Sequence, residues 1–171
     1  MQVMLADPQT EIRSWLKVGL THAGLVNNMH TGTLEGVADA MEQSIGSDIL
    51  ICEMGLGDGQ VMELTSNVCH NDLGKNPFLC VIFISWESQA QDVIRMINCG
   101  NDHLVTVPLS PEQILSRVFS MVHHRLPFVL TADYVGPDRR TLIRPVKDSP
   151  IVDLFKFLEG KDNGELGFLT L

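Results

Sequence analysis

The chain has 171 residues, 44% of them apolar, and a formal net charge of −9, which suits one well-buried domain of ordinary size plus an appendage. Residues 1–125 hold 14 acids and 6 bases and residues 126–171 hold 7 acids and 6 bases, so neither part offers the lysine and arginine cluster on which phosphate-backbone binding depends, and direct nucleic-acid binding is not expected. No run approaches about 18 apolar residues, and the chain reaches an acid at Asp7 without a basic region and apolar segment before it, so neither a membrane span nor a signal peptide is expected and the expected location is the cytoplasm.

In chain order, Val3, Met4, Leu5 and Ala6 make a short apolar strand. Pro8 suits the first turn of a helix in which Ile12, Trp15, Leu16 and Leu20 recur at helical spacing until Gly24. A second strand is expected over residues 25–31, weakened by Asn27 and Asn28, and Thr33 then caps a helix through Leu34, Val37, Ala38 and Met41 to Gly46. Residues 48–52 read as a third, buried strand that ends on Glu53. A glycine-rich turn follows through Gly55, Gly57 and Gly59, and Val61, Leu64 and Val68 mark the next helix. The fourth strand, residues 78–84, is continuously apolar and therefore covered on both faces. Ala90, Val93, Ile94 and Ile97 mark a fourth helix ending at Gly100, residues 103–106 a fifth strand, and Ser110, Pro111 and Glu112 open a fifth helix through Ile114, Leu115, Val118, Phe119 and Val122.

Five strand–helix units in strict alternation predict a parallel sheet with helices on both faces, since parallel neighbours need right-handed crossovers. The expected fold class is α/β, a flavodoxin-like doubly wound five-stranded sheet in the order 2-1-3-4-5 over residues 1–125, with a C-terminal extension over 126–171. In the extension Pro127, Pro137, Pro145 and Pro150 interrupt short apolar pieces. Phe128, Val129 and Leu130 suit a strand or extended arm, and Gly136, Pro137 and Asp138 a turn that presents Arg139 and Arg140, a pair able to hold carboxylates or phosphates bidentately. Ser149 and Pro150 read as the start of a short helix near residues 150–159.

Cys52, Cys69, Cys80 and Cys99 lack metal-ligand spacing and read as structural thiols. The six histidines fall on separate elements, apart from His123 and His124 near a helix end, where they suit the carbonyl-rich terminus. No nucleophile elbow, phosphate loop, zinc-protease motif or dinucleotide fingerprint is present.

Glu53 at the carboxyl end of the third strand stands where open α/β sheets place their chemistry. Four local patterns give that position meaning: Val3 to Arg13 with Asp7 and Pro8 after the first strand; Glu53 with its glycine turn; Val81 to Trp86 with Ser85 at the strand end; and Gly100 to Leu109. Together they resemble the CheY-like receiver domains of bacterial two-component response regulators, the last being similar to that family's "GADDYLTKPF" pattern. The resemblance implies that Glu53 stands at the aspartyl phosphoacceptor, that Asp7 is what remains of an acidic pair whose lost member is Pro8 or, with the register slid by one, Ala6, and that Ser85 is the switch hydroxyl. It further implies that Val107 replaces the conserved lysine, Leu104 the switching aromatic, and that the bond before Pro108 is cis.

Phosphoryl transfer to a carboxylate needs an in-line nucleophile, a cation on the phosphate oxygens and a donor that holds the group. Glu53 displaces its oxygen by roughly an ångström, a scale at which positioning losses reach about 10²-fold, and Val107 cannot clamp the phosphoryl oxygens. The expectation is a pseudo-receiver, not an enzyme, with no cofactor and at best weak Mg²⁺ at Asp7 and Glu53. Its expected partners are a sensor kinase, a phosphotransfer protein or a downstream signalling protein, with a homodimer among the arrangements and Arg139 and Arg140 as candidate contacts. Glu53 is left between a solvated strand-end acid, a standing mimic of the phosphorylated acceptor, and a carboxylate bonded to Ser85. Two alternatives stay open: a Mg²⁺-dependent receiver phosphorylated at Glu53, and a small flavodoxin-like ligand-binding protein or enzyme.

Overall fold

In the computed structural model the described residues are 1–25, 28–43, 47–70, 72–74, 76–86, 90–131, 134–139 and 151–152. Strands β1 (Val3–Ala6), β2 (Asn28–Thr31), β3 (Ile49–Glu53), β4 (Cys80–Ser85) and β5 (His103–Thr106) alternate with helices α1 (Thr10–His22), α2 (Leu34–Gln43), α3 (Val61–Cys69), α4 (Ala90–Asn98) and α5 (Pro111–His124). The strands pair in parallel in the order β2-β1-β3-β4-β5, the expected doubly wound, flavodoxin-like sheet.

Successive side chains of a strand point to opposite faces, and here both faces are buried. Met4, Ala6, Leu50, Cys52, Val81 and Phe83 meet Val37, Met41, Leu64, Val68 and Met96 in a layer beneath α2, α3 and α4. Val3, Leu5, Ile49, Ile51, Ile82 and Ile84 meet Leu16, Leu20, Ile114, Val118 and Met121 in a second layer beneath α1 and α5. This two-sided covering is why the central strands β1, β3 and β4 are apolar runs instead of alternating ones. The caps agree where the sequence is explicit: Thr33 Oγ1 accepts from the Gly36 N–H at 3.1 Å, and Ser110 and Gln113 form a reciprocal capping box ahead of α5.

Several boundaries differ from the sequence reading. The first helix starts at Thr10, so Pro8 precedes it; the carboxylate of Asp7 accepts from the Gln9 N–H at 2.7 Å and shapes the turn instead. Residues 26 and 27 of the expected second strand and 44–46 beyond α2 lie outside the described residues. The fourth strand begins at Cys80, not Phe78. Phe78 and Leu79 are held outside the ladder because their carbonyls accept from Arg125, at 2.5 and 3.0 Å.

Beyond α5 the extension forms a small antiparallel sheet of β6 (Phe128–Leu130), β7 (Val135–Pro137) and β8 (Ile151–Val152), in the order β7-β6-β8. Ile151 and Val152, expected at the start of a helix, are thus strand residues paired with β6, consistent with the strand preference of β-branched residue types; residues 153–159 of that expected helix lie outside the described residues. Phe128 and Val135 pack with Cys69 and Phe78, the two phenylalanine rings meeting edge to face at 5.3 Å. This seam lies at the amino edge of the parallel sheet, where α3 and α4 end and β4 and β5 begin. Gly100 is required in it: its φ is +92°, and a Cβ there would stand 2.6 Å from the Val135 carbonyl oxygen and 2.8 Å from Cys69 Sγ.

Candidate functional site

The parallel register brings three polar side chains to the carboxyl edge. Ala6 pairs with Cys52 and Glu53 with Ile84, so Asp7, Glu53 and Ser85 leave adjacent strands side by side. All three are buried, at 2%, 9% and 1% exposure. Residue 107 joins them through the backbone, its N–H donating to the Ser85 carbonyl at 2.9 Å.

Each acid is constrained differently. Asp7 Oδ1 takes the Gln9 amide, whereas Asp7 Oδ2 is buried with no hydrogen-bond partner among the described residues. Arg13 donates to the Asp7 backbone carbonyl rather than to the carboxylate. The Glu53 carboxylate lies over its own turn: its oxygens are 3.1 and 3.2 Å from where a Cβ on Gly55 would stand, and the nearby backbone amides of Gly55 and Leu56 favour its charged form, while the Leu56 N–H itself donates to the Glu53 backbone carbonyl at 3.2 Å. Glycine at 55 therefore leaves room for the carboxylate. Burial pushes the Glu53 pKa up, partly countered by those amides and reinforced by the negative charge of Asp7. Burial likewise raises Asp7, against the Gln9 amide and the Arg13 charge.

The remaining sequence-predicted positions fall around this pair. Val107 is half-buried in the layer beneath α1 and α5, and it brings no charge to the crevice. Leu104 packs into the opposite layer beneath α2, α3 and α4. The Val107–Pro108 bond is cis. Pro8 is exposed and supplies no oxygen, and Trp86 is 49% exposed. Asp58, at φ +54° between two glycines that also have positive φ, is an exposed turn residue. The four cysteines are free; burial holds Cys69 at about 12 and Cys80 and Cys99 at about 11, as inert structural thiols require.

Magnesium calls for near-octahedral oxygen coordination, commonly through carboxylates with several waters retained. The crevice offers Asp7 Oδ2 and the Glu53 carboxylate, and no group of three His, Cys, Asp or Glu side chains among the described residues could hold a metal ion. Two carboxylates, one of them unpartnered at Asp7 Oδ2 among the described residues, leave most of an octahedral shell to water, a poorer donor set than one with a second acid at position 8.

Arg139, expected at a partner surface, is committed within the chain. Its guanidinium donates to the carbonyls of Ile97 at 3.1 Å and Asp102 at 3.1 Å, and also to that of Asn101, fastening the extension to the end of α4. Arg140 lies outside the described residues. Sequence reasoning passed over Arg125, whose guanidinium spans Asp102, Phe78 and Leu79 and lies 4.4 Å from the Phe128 ring centre; the only hint was Asp102 in the Gly100 pattern, because the pairing links residues 23 positions apart.

The raised carboxyls have a thermodynamic consequence. A carboxyl whose folded pKa exceeds its unfolded value stabilises the fold most below the unfolded value, and that contribution is lost as pH rises through the folded one. Asp7→Asn keeps the Gln9 acceptor and removes the buried charge. Urea denaturation at pH 7 is expected to show the variant more stable by about 1 kcal/mol, with the gap closing towards pH ~4. Equal stability at both pH values would show that the Asp7 carboxylate is well solvated.

No protein-family model and no curated protein matches the chain. Solved structures share its fold. Response regulator DrrB of Thermotoga maritima, an OmpR/PhoB homologue, matches at 20% identity and TM-score 0.61 over 71% of this chain and 52% of that one. A CheY-like response regulator receiver domain protein of Methanospirillum hungatei matches at 16% identity and TM-score 0.64, over 71% and 93%, and an orphan response regulator of H. pylori at 16% and 0.61, over 70% and 94%. The chain thus spans about half the length of DrrB and nearly all of the other two. At these identities the likeness is one of fold: the five-stranded unit has receiver architecture. No helix among the described residues is long and apolar enough to cross a membrane.

Proposed function

We propose that the chain is a receiver-fold signalling module that acts through protein–protein contact and is not phosphorylated in the usual way. One observation carries this reading: the carboxylate at the acceptor position, Glu53, is buried against the glycine turn that follows it, its oxygens 3.1 and 3.2 Å from where a Gly55 Cβ would stand, instead of being presented to an incoming phosphoryl group. The rest of the crevice supports it. Val107 supplies no cation for phosphoryl oxygens, Pro8 no second acid, and Leu104 no aromatic to rotate. In this reading Glu53 holds the loop after β3 in one conformation, Mg²⁺ binds weakly if at all, and there is no enzymatic turnover. The partners are a sensor kinase, a phosphotransfer protein or a downstream signalling protein in the cytoplasm, met through the faces of the α/β unit.

The test is the intact mass of the protein after incubation with Mg²⁺ and acetyl phosphate, followed by hydroxylamine. The expected result is no phosphoryl adduct. A hydroxylamine-labile adduct mapped to Glu53 would overturn the reading and make this a working phosphoacceptor. Asp7 Oδ2, buried and without a hydrogen-bond partner among the described residues, favours this second outcome.

A further inference from the structure

Helix α1 turns two large apolar side chains outward. Leu16 and Leu20 fill the layer beneath α1 and α5, with Ile12 packed against it, whereas Trp15 is 42% exposed and Val18 56% and neither belongs to a core layer. Glu11, Trp15, Val18 and His22 stand at i, i+4, i+7 and i+11, so they share one face of the helix, and all four are exposed. From the amino end the stripe reads acid, apolar, apolar, base. Neither Glu11 nor His22 forms an ion pair among the described residues.

Such a stripe is complementary to its own reverse. A second copy running antiparallel sets Glu11 against His22 and Trp15 against Val18, then repeats both pairings in reverse, as a two-fold contact requires. The surface beside the stripe has room for the indole. A Cβ on Gly19 would stand 2.5 Å from Pro111 Cβ, so the glycine lets the start of α5 lie directly against α1. The two helices bound a groove of about 370 Å³ whose lining includes Trp15, Val18, His22, Pro111, Glu112 and Leu115; it adjoins Val18, where the antiparallel arrangement brings Trp15 of the second copy. Charge agrees. α1 sets Glu11 against Arg13 and Lys17, whereas residues 34–72, which include α2 and α3, hold eight acids and no lysine or arginine. Two copies of formal charge −9 repel through that acidic side, and α1 is a face by which a like-charged copy can approach.

We propose that α1 is a homodimer contact. Two copies pack their first helices antiparallel across a two-fold axis, Trp15 of each seated beside Val18 in the α1–α5 groove of the other, with Glu11 and His22 paired at both ends. One helix per copy makes a small interface, below about 1,200 Å² in total, so the association is weak and concentration-dependent. The proposal does not rest on the signalling reading, since Asp7, Glu53 and Ser85 take no part in it.

The test is sedimentation velocity of the full chain from about 5 to about 300 µM, with circular dichroism to confirm that each variant is folded. The expected result is a monomer that becomes a dimer within this range. Trp15→Glu is expected to weaken the dimer about 10²-fold, as removal of a central aromatic anchor does, and Val18→Glu, at a more exposed position, repeats the measurement. Glu11→Lys is expected to weaken it about fivefold or more, and the charge exchange Glu11→Lys with His22→Glu to recover most of that loss, because each end then meets the opposite charge again. A monomer throughout the range, or a dimer indifferent to both Trp15→Glu and Val18→Glu, overturns the proposal. A charge exchange that recovers nothing overturns the antiparallel arrangement.

Discussion

Arg125→Ala is expected to lower the unfolding free energy by about 3–5 kcal/mol, the range for removing one partner of a buried ion pair. The guanidinium makes two hydrogen bonds to Asp102, at 2.9 and 3.1 Å, while the side chains are only 16% and 4% exposed. It also takes the carbonyls of Phe78 and Leu79. Truncation leaves Asp102 charged and buried, with one compensating bond from the Val81 N–H at 2.8 Å, and returns two carbonyls to an apolar seam. The loss of packing on Phe128 adds to this. Lysine is expected to recover only a minor part, because a single ammonium cannot reproduce the planar fork that reaches three acceptor groups. Urea denaturation checks the claim, with Asp102→Ala and the double variant completing a cycle. A loss under about 1 kcal/mol would match an exposed pair and show that the seam opens to water.

Glu53→Asp combined with Val107→Lys and Pro8→Asp is expected to turn a chain without a detectable phosphoryl adduct into one that forms a hydroxylamine-labile adduct at position 53 with Mg²⁺ and acetyl phosphate. Shortening the acid withdraws it from the turn at Gly55 and restores placement worth about 10²-fold. Lysine beside Ser85 supplies charge for the phosphoryl oxygens, at about 10²–10³-fold for one well-placed donor. Aspartate at position 8, which is exposed and next to Asp7, adds a hard oxygen ligand. Single changes are expected to do little, because nucleophile, metal and clamp act as a unit. No labelling of a folded triple variant would mean that residues 7, 53, 85 and 107 are not arranged as an acceptor site, which would remove the basis for reading Glu53 as its remnant.

The two faces of the sheet were legible because the central strands β1, β3 and β4 are unbroken apolar runs and the helices show period 3.6; parallel order then follows from the crossover rule. The crevice was legible as well, since strand ends in a parallel sheet must share an edge, and so Asp7, Glu53 and Ser85 converge. Sequence could not say where the Glu53 carboxylate points: its position against Gly55 depends on the dihedrals of a glycine turn. The extension was read least well. Ile151 and Val152 follow a serine and a proline that look like a helix start, but the open edge of β6, more than 20 positions earlier, pairs with them. Arg125 and Arg139 were likewise invisible as anchors, since an arginine beside prolines looks the same whether its donors meet water or carbonyls from another element. Local pattern by itself determined the elements, their order in the sheet and the residues at its carboxyl edge, because hydrophobic period and chain connectivity are written along the chain. Only the tertiary structure decided which strand the extension pairs with and which carbonyls its arginines take, because those partners lie far apart in sequence and their energies exist only once the groups are buried together.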